Sequence, residues 1–173
     1  DKAKDTVMAI LMLAMMVPFV AVLVPLFQMF TKAKLINSWT GFILPSIATP
    51  FLIMYFRNSA RSFPRDTLEA ARIDGLNEFQ IFIRMFIPMM KPTYASAATI
   101  TFMGAWNAYL WPKVVMQTNE AITMPMLVAN TMGGYVIDYG VVMAAVTICS
   151  LPTVIIFFCL QKSFTNAVAG AVK

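Results

Sequence analysis

The sequence predicts an all-α fold, a polytopic helical bundle whose solvent is the lipid bilayer. Three observations predict it. Hydrophobic residues make up 60% of the 173 and charged residues 12%, against about 25% charged in an ordinary soluble domain. The apolar residues gather into uncharged runs long enough to cross a hydrocarbon core of ~30 Å. The basic residues fall between those runs, as determinants of topology do. They do not form the clustered basic face that nucleic acid requires. The net charge of +5 therefore implies a bilayer partner and no nucleic acid.

Four runs are expected to span, and each is expected to be helical because backbone groups in hydrocarbon must bond one another. They are Val7 to Phe30, Ile36 to Phe56, Thr93 to Pro112 and Tyr139 to Leu160. Prolines interrupt them at Pro18, Pro25, Pro45, Pro50 and Pro152, either as kinks lining a pathway or as kinks tolerated by packing. A fifth apolar stretch, Ala121 to Ile137, holds Pro125 and Gly133-Gly134. It reads as an irregular or half-inserted segment. Tyr94, Trp106, Tyr109 and Trp111 sit around the third run as interfacial or packing aromatics. The two cysteines, Cys149 and Cys159, share the fourth run and point in different directions, so they read as packing residues. The chain contains no His, the commonest general base and metal ligand. The runs also carry no ionisable pair that an intramembrane enzyme would need.

The distribution of Lys and Arg orients the bundle. If the loop from Arg57 to Lys91 is cytoplasmic, it contributes Arg57, Arg61, Arg65, Arg72, Arg84 and Lys91. Lys2, Lys4, Lys162 and Lys173 then fall on the same side, with Lys32, Lys34 and Lys113 outside. That is ten of the 13 basic residues against three, which satisfies the positive-inside rule. Both ends of the chain are thus expected to be cytoplasmic.

The loop carries the most local information. Asp66-Thr67-Leu68-Glu69 has the form of a capping box, with Asp66 as N-cap and Glu69 at the third helical position. A short helix through Ala70, Ala71, Arg72 and Ile73 would stop at Gly75. Asn77 is placed to cap a second helix from Glu78 toward Ile87, ended by Pro88. Phe79, Phe82, Ile83, Phe86 and Ile87 would form its apolar stripe against the membrane, with Glu78, Gln80 and Arg84 opposite. Such a helix–Gly–helix unit suits docking, since two alanines keep the relief low and Glu69 and Asp74 offer charge to a basic cleft. A merely solvated amphipathic hairpin would show the same pattern.

At Glu69-Ala70-Ala71, Asp74-Gly75 and Pro88 the sequence resembles the EAA loop of ABC-importer permeases. Its form, running through Leu76-Asn77-Glu78-Phe79 to Phe86-Ile87-Pro88 and Lys91-Pro92, is most similar to the MalG-type subunits of carbohydrate importers, the binding-protein-dependent transport inner membrane components. Trp106-Asn107-Ala108-Tyr109-Leu110-Trp111-Pro112 and the ending Gln161-Lys162-Ser163-Phe164 with Ala169-Gly170-Ala171-Val172-Lys173 resemble that subfamily as well. Leu76 departs from its usual small residue, and Met85 and Ile87 replace Ile and Leu before Pro88. The likeness covers essentially the whole chain. Six spans are usual in the family, so by analogy the first two are missing ahead of Asp1.

The resemblance implies one transmembrane domain over 1–173, with residues 57–92 as its cytoplasmic coupling loop. It implies a permease subunit of an ATP-driven importer for a sugar or oligosaccharide. Its partners would be an ABC ATPase dimer, a second permease subunit and an extracytoplasmic sugar-binding protein. Glu69, Ala70, Ala71, Asp74 and Gly75 would sit in the ATPase cleft, and the tail with Gly170 and Lys173 would also reach the ATPase. No phosphate-binding glycine run ending in Gly-Lys-Ser or Gly-Lys-Thr is present, so hydrolysis is assigned to the partner. No enzymatic activity, cofactor or metal is expected of this chain. Another small solute as cargo, or a scaffold that recruits partners without transport, are the competing readings. Gln28, Trp106, Asn107 and Thr147 are pathway candidates by residue type, but helix packing accounts for them equally, and no ligand contact is assigned.

Overall fold

The computed structural model describes residues 2–118, 122–134 and 137–170, with side chains through residue 159. Every regular element among the described residues is helical, and helix breaks rather than helix lengths set the architecture. Helix α1, Lys2–Met16, and helix α2, Phe19–Lys32, meet at 97°. The run Val7 to Phe30 is therefore not the single span expected. Pro18 has an extended backbone (φ −62°, ψ 134°), and a proline disfavours the α conformation of the residue before it. Pro25 stays within α2.

The second run is also jointed. Helix α3, Trp39–Ile43, passes through a 3₁₀ turn at Leu44–Ser46 and meets α4, Pro50–Arg61, at a bend of 43°. Ser38 and Thr49 cap the two pieces, their hydroxyls accepting from Gly41 N at 3.0 Å and Leu52 N at 3.4 Å. Pro50 sits at the first position of α4, where its missing N–H costs nothing.

After the loop, α8 runs from Lys91 to Trp106 and stops; α9, Leu110–Val115, follows the break at residues 107–109. Sixteen residues extend about 24 Å, short of the hydrocarbon core, so the third run is a discontinuous helix. Helix α10, Met124–Thr131, is a short piece in the stretch expected to be irregular, and it packs on α11, Tyr139–Gly170. The portion of α11 from Tyr139 to Cys159 is, among the described residues, the unbroken helix long and apolar enough to cross a membrane. It matches the fourth predicted span, and the Asp138 carboxylate opens it by accepting from Gly140 N and Val141 N.

One buried cluster holds the end opposite the loop. Phe30, Trp111, Val115 and Met116 form it, flanked by Leu23, Leu26, Leu35, Ile36 and Phe42. Trp111 meets Phe30 edge to face at 5.2 Å and donates its indole N–H to the Gly41 carbonyl at 3.2 Å. Asn37, with φ +57°, donates its backbone N–H to Val115 O at 2.8 Å. Gly41 has to be glycine, because a Cβ there would overlap the Leu35 carbonyl oxygen.

Candidate functional site

The loop begins where α4 ends. Phe63, 7% exposed, tucks under the chain and meets Phe86 at 5.2 Å. Pro64 then turns the backbone into α5, Arg65–Ile73, without any side-chain cap. Asp66 lies inside the first turn, so the expected Asp66–Glu69 capping box does not form. The extended conformation of Pro64 starts the helix before Asp66 can cap it, and Asp66 is left to complement the helix dipole.

The predicted stop at Gly75 is present in full. Gly75 has φ +80°. Its N–H bonds Arg72 O at 3.1 Å, and Leu76 N–H bonds Ala71 O at 3.1 Å, the bond pair of a Schellman cap. The predicted cap at Asn77 is present too. Its Oδ1 accepts from Gln80 N at 2.8 Å while Gln80 Oε1 accepts from Asn77 N at 3.0 Å, a reciprocal capping box that opens α6, Glu78–Ile81. Across the turn, Arg72 Nε donates to Glu78 Oε1 at 2.8 Å. The hydrogen bond and charge of Arg72 hold the Glu78 carboxyl below its usual range, and Glu78 raises Arg72 in turn.

The second helix does not end at Pro88. It widens into a π-helical turn at Phe82–Phe86, resumes as α7, Ile87–Met89, and leads into α8. Proline lacks an N–H and crowds the carbonyl four residues earlier, which here belongs to Arg84; the wider turn accommodates both defects. The unit is consequently a jointed rod running from the loop into the bundle.

The predicted docking residues separate into two groups. Glu69, Ala70, Asp74 and Gly75 are exposed, whereas Ala71, 1% exposed, is packed inward. Phe79, Phe82 and Ile83 of the apolar stripe are exposed on the surface of the chain, and Ile81, outside that stripe, is the residue buried against it at 3%. Ile73, 86% exposed, joins Glu69 and Ala70 on the outer face. Sequence reasoning passed over it, although its spacing of four and three residues from them was the available signal. Gly170 closes α11, and Lys173 lies outside the described residues.

Of the pathway candidates, Trp106 makes a link between helices, its indole N–H donating to the Cys149 carbonyl at 2.9 Å. Asn107 and Thr147 bond their own helix backbones at Met103 O and Met143 O. Gln28 lines a shallow hollow with Phe27, Thr31 and Lys32.

The family model described as binding-protein-dependent transport system inner membrane component matches residues 1–170. The chain is 40% identical over 173 residues to the lactose transport system permease protein LacG of Rhizobium radiobacter, covering 100% of this chain and 63% of LacG. It is 35% identical over 173 residues to the arabinooligosaccharides transport system permease protein AraQ of Bacillus subtilis, covering 99% of this chain and 62% of AraQ. It thus spans 62–63% of the length of these curated relatives. A solved bacterial ABC transporter involved in import of the acidic polysaccharide alginate has the same fold. That match has a TM-score of 0.77 at 22% identity, over 94% of this chain and 62% of the solved one.

Proposed function

The chain belongs to the family of binding-protein-dependent transport system inner membrane components, and from that membership we propose that it is a permease subunit of an ATP-binding-cassette importer for a sugar or oligosaccharide. Residues 57–92 are its cytoplasmic coupling loop within a single transmembrane domain, and both ends of the chain are cytoplasmic. A separate ATPase dimer hydrolyses ATP, a second permease completes the pathway, and an extracytoplasmic binding protein delivers the sugar. The names of the lactose and arabinooligosaccharide relatives support a saccharide cargo.

One observation carries the mechanism: a self-capped helix–Gly–helix unit exposes Glu69, Ala70, Ile73, Asp74 and Gly75, and the same backbone runs on through the π-turn into α8. Docking of the ATPase on that face gives it a grip on a stiff lever. Closure of the ATPase pair on ATP moves α5, the rod transmits the displacement to α8, and the jointed helices switch access between the two sides. Ala71 contributes by letting α5 and α6 approach closely rather than by touching the partner. Gly170 and Lys173 are assigned a secondary contact with the ATPase.

The test is co-purification of the full-length permease pair with its ATPase in detergent, followed by uptake in proteoliposomes. Native protein should retain the ATPase and import a sugar; Glu69→Lys should lose the ATPase, and Gly75→Pro should keep or lose it but fail to couple. Full uptake by both variants would refute docking through this loop. ATPase binding with no uptake of any solute by native protein would favour a scaffold.

A further inference from the structure

Helix α8 packs along α11, and one hydrogen bond ties the tip of the first to the middle of the second. Trp106, the last residue of α8, donates its indole N–H to the Cys149 carbonyl at 2.9 Å. Phe102, one turn earlier, stacks on the same indole at 5.9 Å with the ring planes 13° apart, which holds the donor in place. The helix breaks directly after Trp106, so α8 ends on this bond.

The acceptor lies in a turn of α11 that is short of donors. Pro152 has no N–H, so the helical ladder leaves Ile148 O without its usual partner. Cys149 O finds its ladder partner in the N–H of Thr153. A carbonyl oxygen carries two lone pairs, and the Trp106 indole takes the second.

One hydroxyl goes without as a result. Thr6, Thr31, Thr99 and Thr147 each donate their hydroxyl to the carbonyl four residues earlier, at 2.8 to 2.9 Å. For Thr153 that carbonyl is Cys149 O, where both lone pairs are already engaged. Thr153 Oγ1 is shielded from solvent and has no hydrogen-bond partner among the described residues. A buried hydroxyl without a partner is costly, the more so in the helix of this chain that is long and apolar enough to cross a membrane. The arrangement is accounted for if a second position of the two helices puts that hydroxyl to use.

We propose that Cys149 O is the shared acceptor of a two-position latch between α8 and α11. With α8 docked, as in this structure, Trp106 holds the oxygen and the Thr153 hydroxyl is idle. When α8 withdraws, Thr153 turns about χ1 to the rotamer that bonds the carbonyl four residues back and takes the oxygen over. One hydrogen bond is exchanged for another, so parting two packed helices leaves no bare carbonyl behind. Trp106 stands at the far end of the rod that begins at the coupling loop, so a displacement carried along the rod acts on the latch. That last step rests on the permease reading above. Thr153 is thus a positioning residue for the released state and touches no cargo.

The reconstituted full-length importer is tested in two ways. The first is a double-mutant cycle read by melting temperature. Thr153→Val should leave it unchanged or raise it, because an idle hydroxyl is removed at nearly constant shape. Trp106→Phe should lower it. The double variant should fall below the sum by about 2–4 °C, the size of one hydrogen bond in a chain of this length, since no side chain remains to serve Cys149 O. The second places fluorotryptophan at position 106 alone, where fluorine NMR should resolve docked and released positions. Trapping the ATPase pair with ATP and vanadate should enrich the released one. Thr153→Val should cut the released-to-docked ratio roughly three- to tenfold and slow uptake with it, and Thr153→Ser should restore both. Should Trp106→Phe fail to assemble, the Thr153 variants and the fluorine spectra decide the matter. A melting loss from Thr153→Val alone would mean that the hydroxyl is already bonded, and overturns the latch. Strict additivity in the cycle, or a Trp106 signal that ignores trapping while uptake proceeds, overturns it too and spares the permease. An importer that neither holds an ATPase nor takes up sugar defeats the permease reading, and the melting cycle then decides the latch by itself.

Discussion

Two corners of this chain reverse direction by opposite means. Between α2 and α3 the backbone is held from afar: Trp111 and Val115 reach it from about seventy to eighty residues away through Gly41 O and Asn37 N. Between α5 and α6 everything is local, since Gly75, Asn77, Gln80, Arg72 and Glu78 satisfy one another within a few positions. The first corner takes its shape from the buried Phe30–Trp111–Val115 cluster, although Lys34 and Asn37 themselves are exposed. The second holds its shape without a core, which leaves Ile73 and Phe79 exposed at 86% and 72%. A region that must be gripped by another protein gains from being ordered by its own caps, because docking then costs little further conformational entropy.

The sharpest break of this comparison comes at the corner held from afar. Trp111→Ala removes the ring that Phe30 and Phe19 pack against and should cost about 3–5 kcal/mol. Gly41→Ala forces a Cβ into the Leu35 carbonyl and should cost about 1–3 kcal/mol through backbone displacement. Both should lower the melting temperature and monodisperse yield in detergent while leaving the loop's amide-exchange pattern unchanged in the folded fraction. Equal loss of protection at the Gln80 amide would mean the two corners are not independent.

Gly75 sets the next scale. A Cβ added there would meet nothing within 4 Å, so Gly75→Ala incurs only the backbone penalty of a positive φ, about 1–2 kcal/mol. Global melting should barely move, whereas the yield of sugar imported per ATP hydrolysed should fall, because the turn between the two loop helices is loosened. A variant as stable and as well coupled as native would show that the turn geometry is not used. Asn77→Ala should cost about 1 kcal/mol, read as faster hydrogen exchange at Gln80 and Ile81 and nowhere near Trp111.

The same contrast between local and distant contacts decides how much of the molecule is legible in its sequence. The Gly75 stop and the Asn77 cap are legible because neighbours within four positions decide them. The Asp66 cap is not, because Pro64 pre-empts it, and a pattern search does not rank two competing starts. The π-turn at Phe82–Phe86 is not legible either, because a stripe drawn through Phe79, Phe82, Ile83, Phe86 and Ile87 assumes an even helical winding. The bends at Pro18 and Thr49-Pro50 are visible as prolines, but their angles depend on packing. The Trp111–Gly41 and Trp106–Cys149 links join residues far apart in sequence, and no local signal reports such a meeting.

The smallest effect belongs to the Arg72–Glu78 pair, which separates a positioning contact from a stabilising one. Both groups are exposed, at 53% and 75%, so screening leaves the pair little weight in global stability. Its sign is nonetheless fixed. Arg72 lowers the Glu78 carboxyl in the folded loop, so the stabilisation is complete above the ordinary carboxylate pKa and is lost as pH falls through the lowered one. Nothing should change between pH 6 and 8 on this account, and a weak loosening of the α5–α6 turn should appear only in acid. Glu78→Gln should erase that acid step in amide exchange at Gly75 and Leu76, and high salt should shrink it in native protein. A step that survives the substitution would belong to another carboxylate, with Glu69 and Asp74 on the exposed face the first to replace.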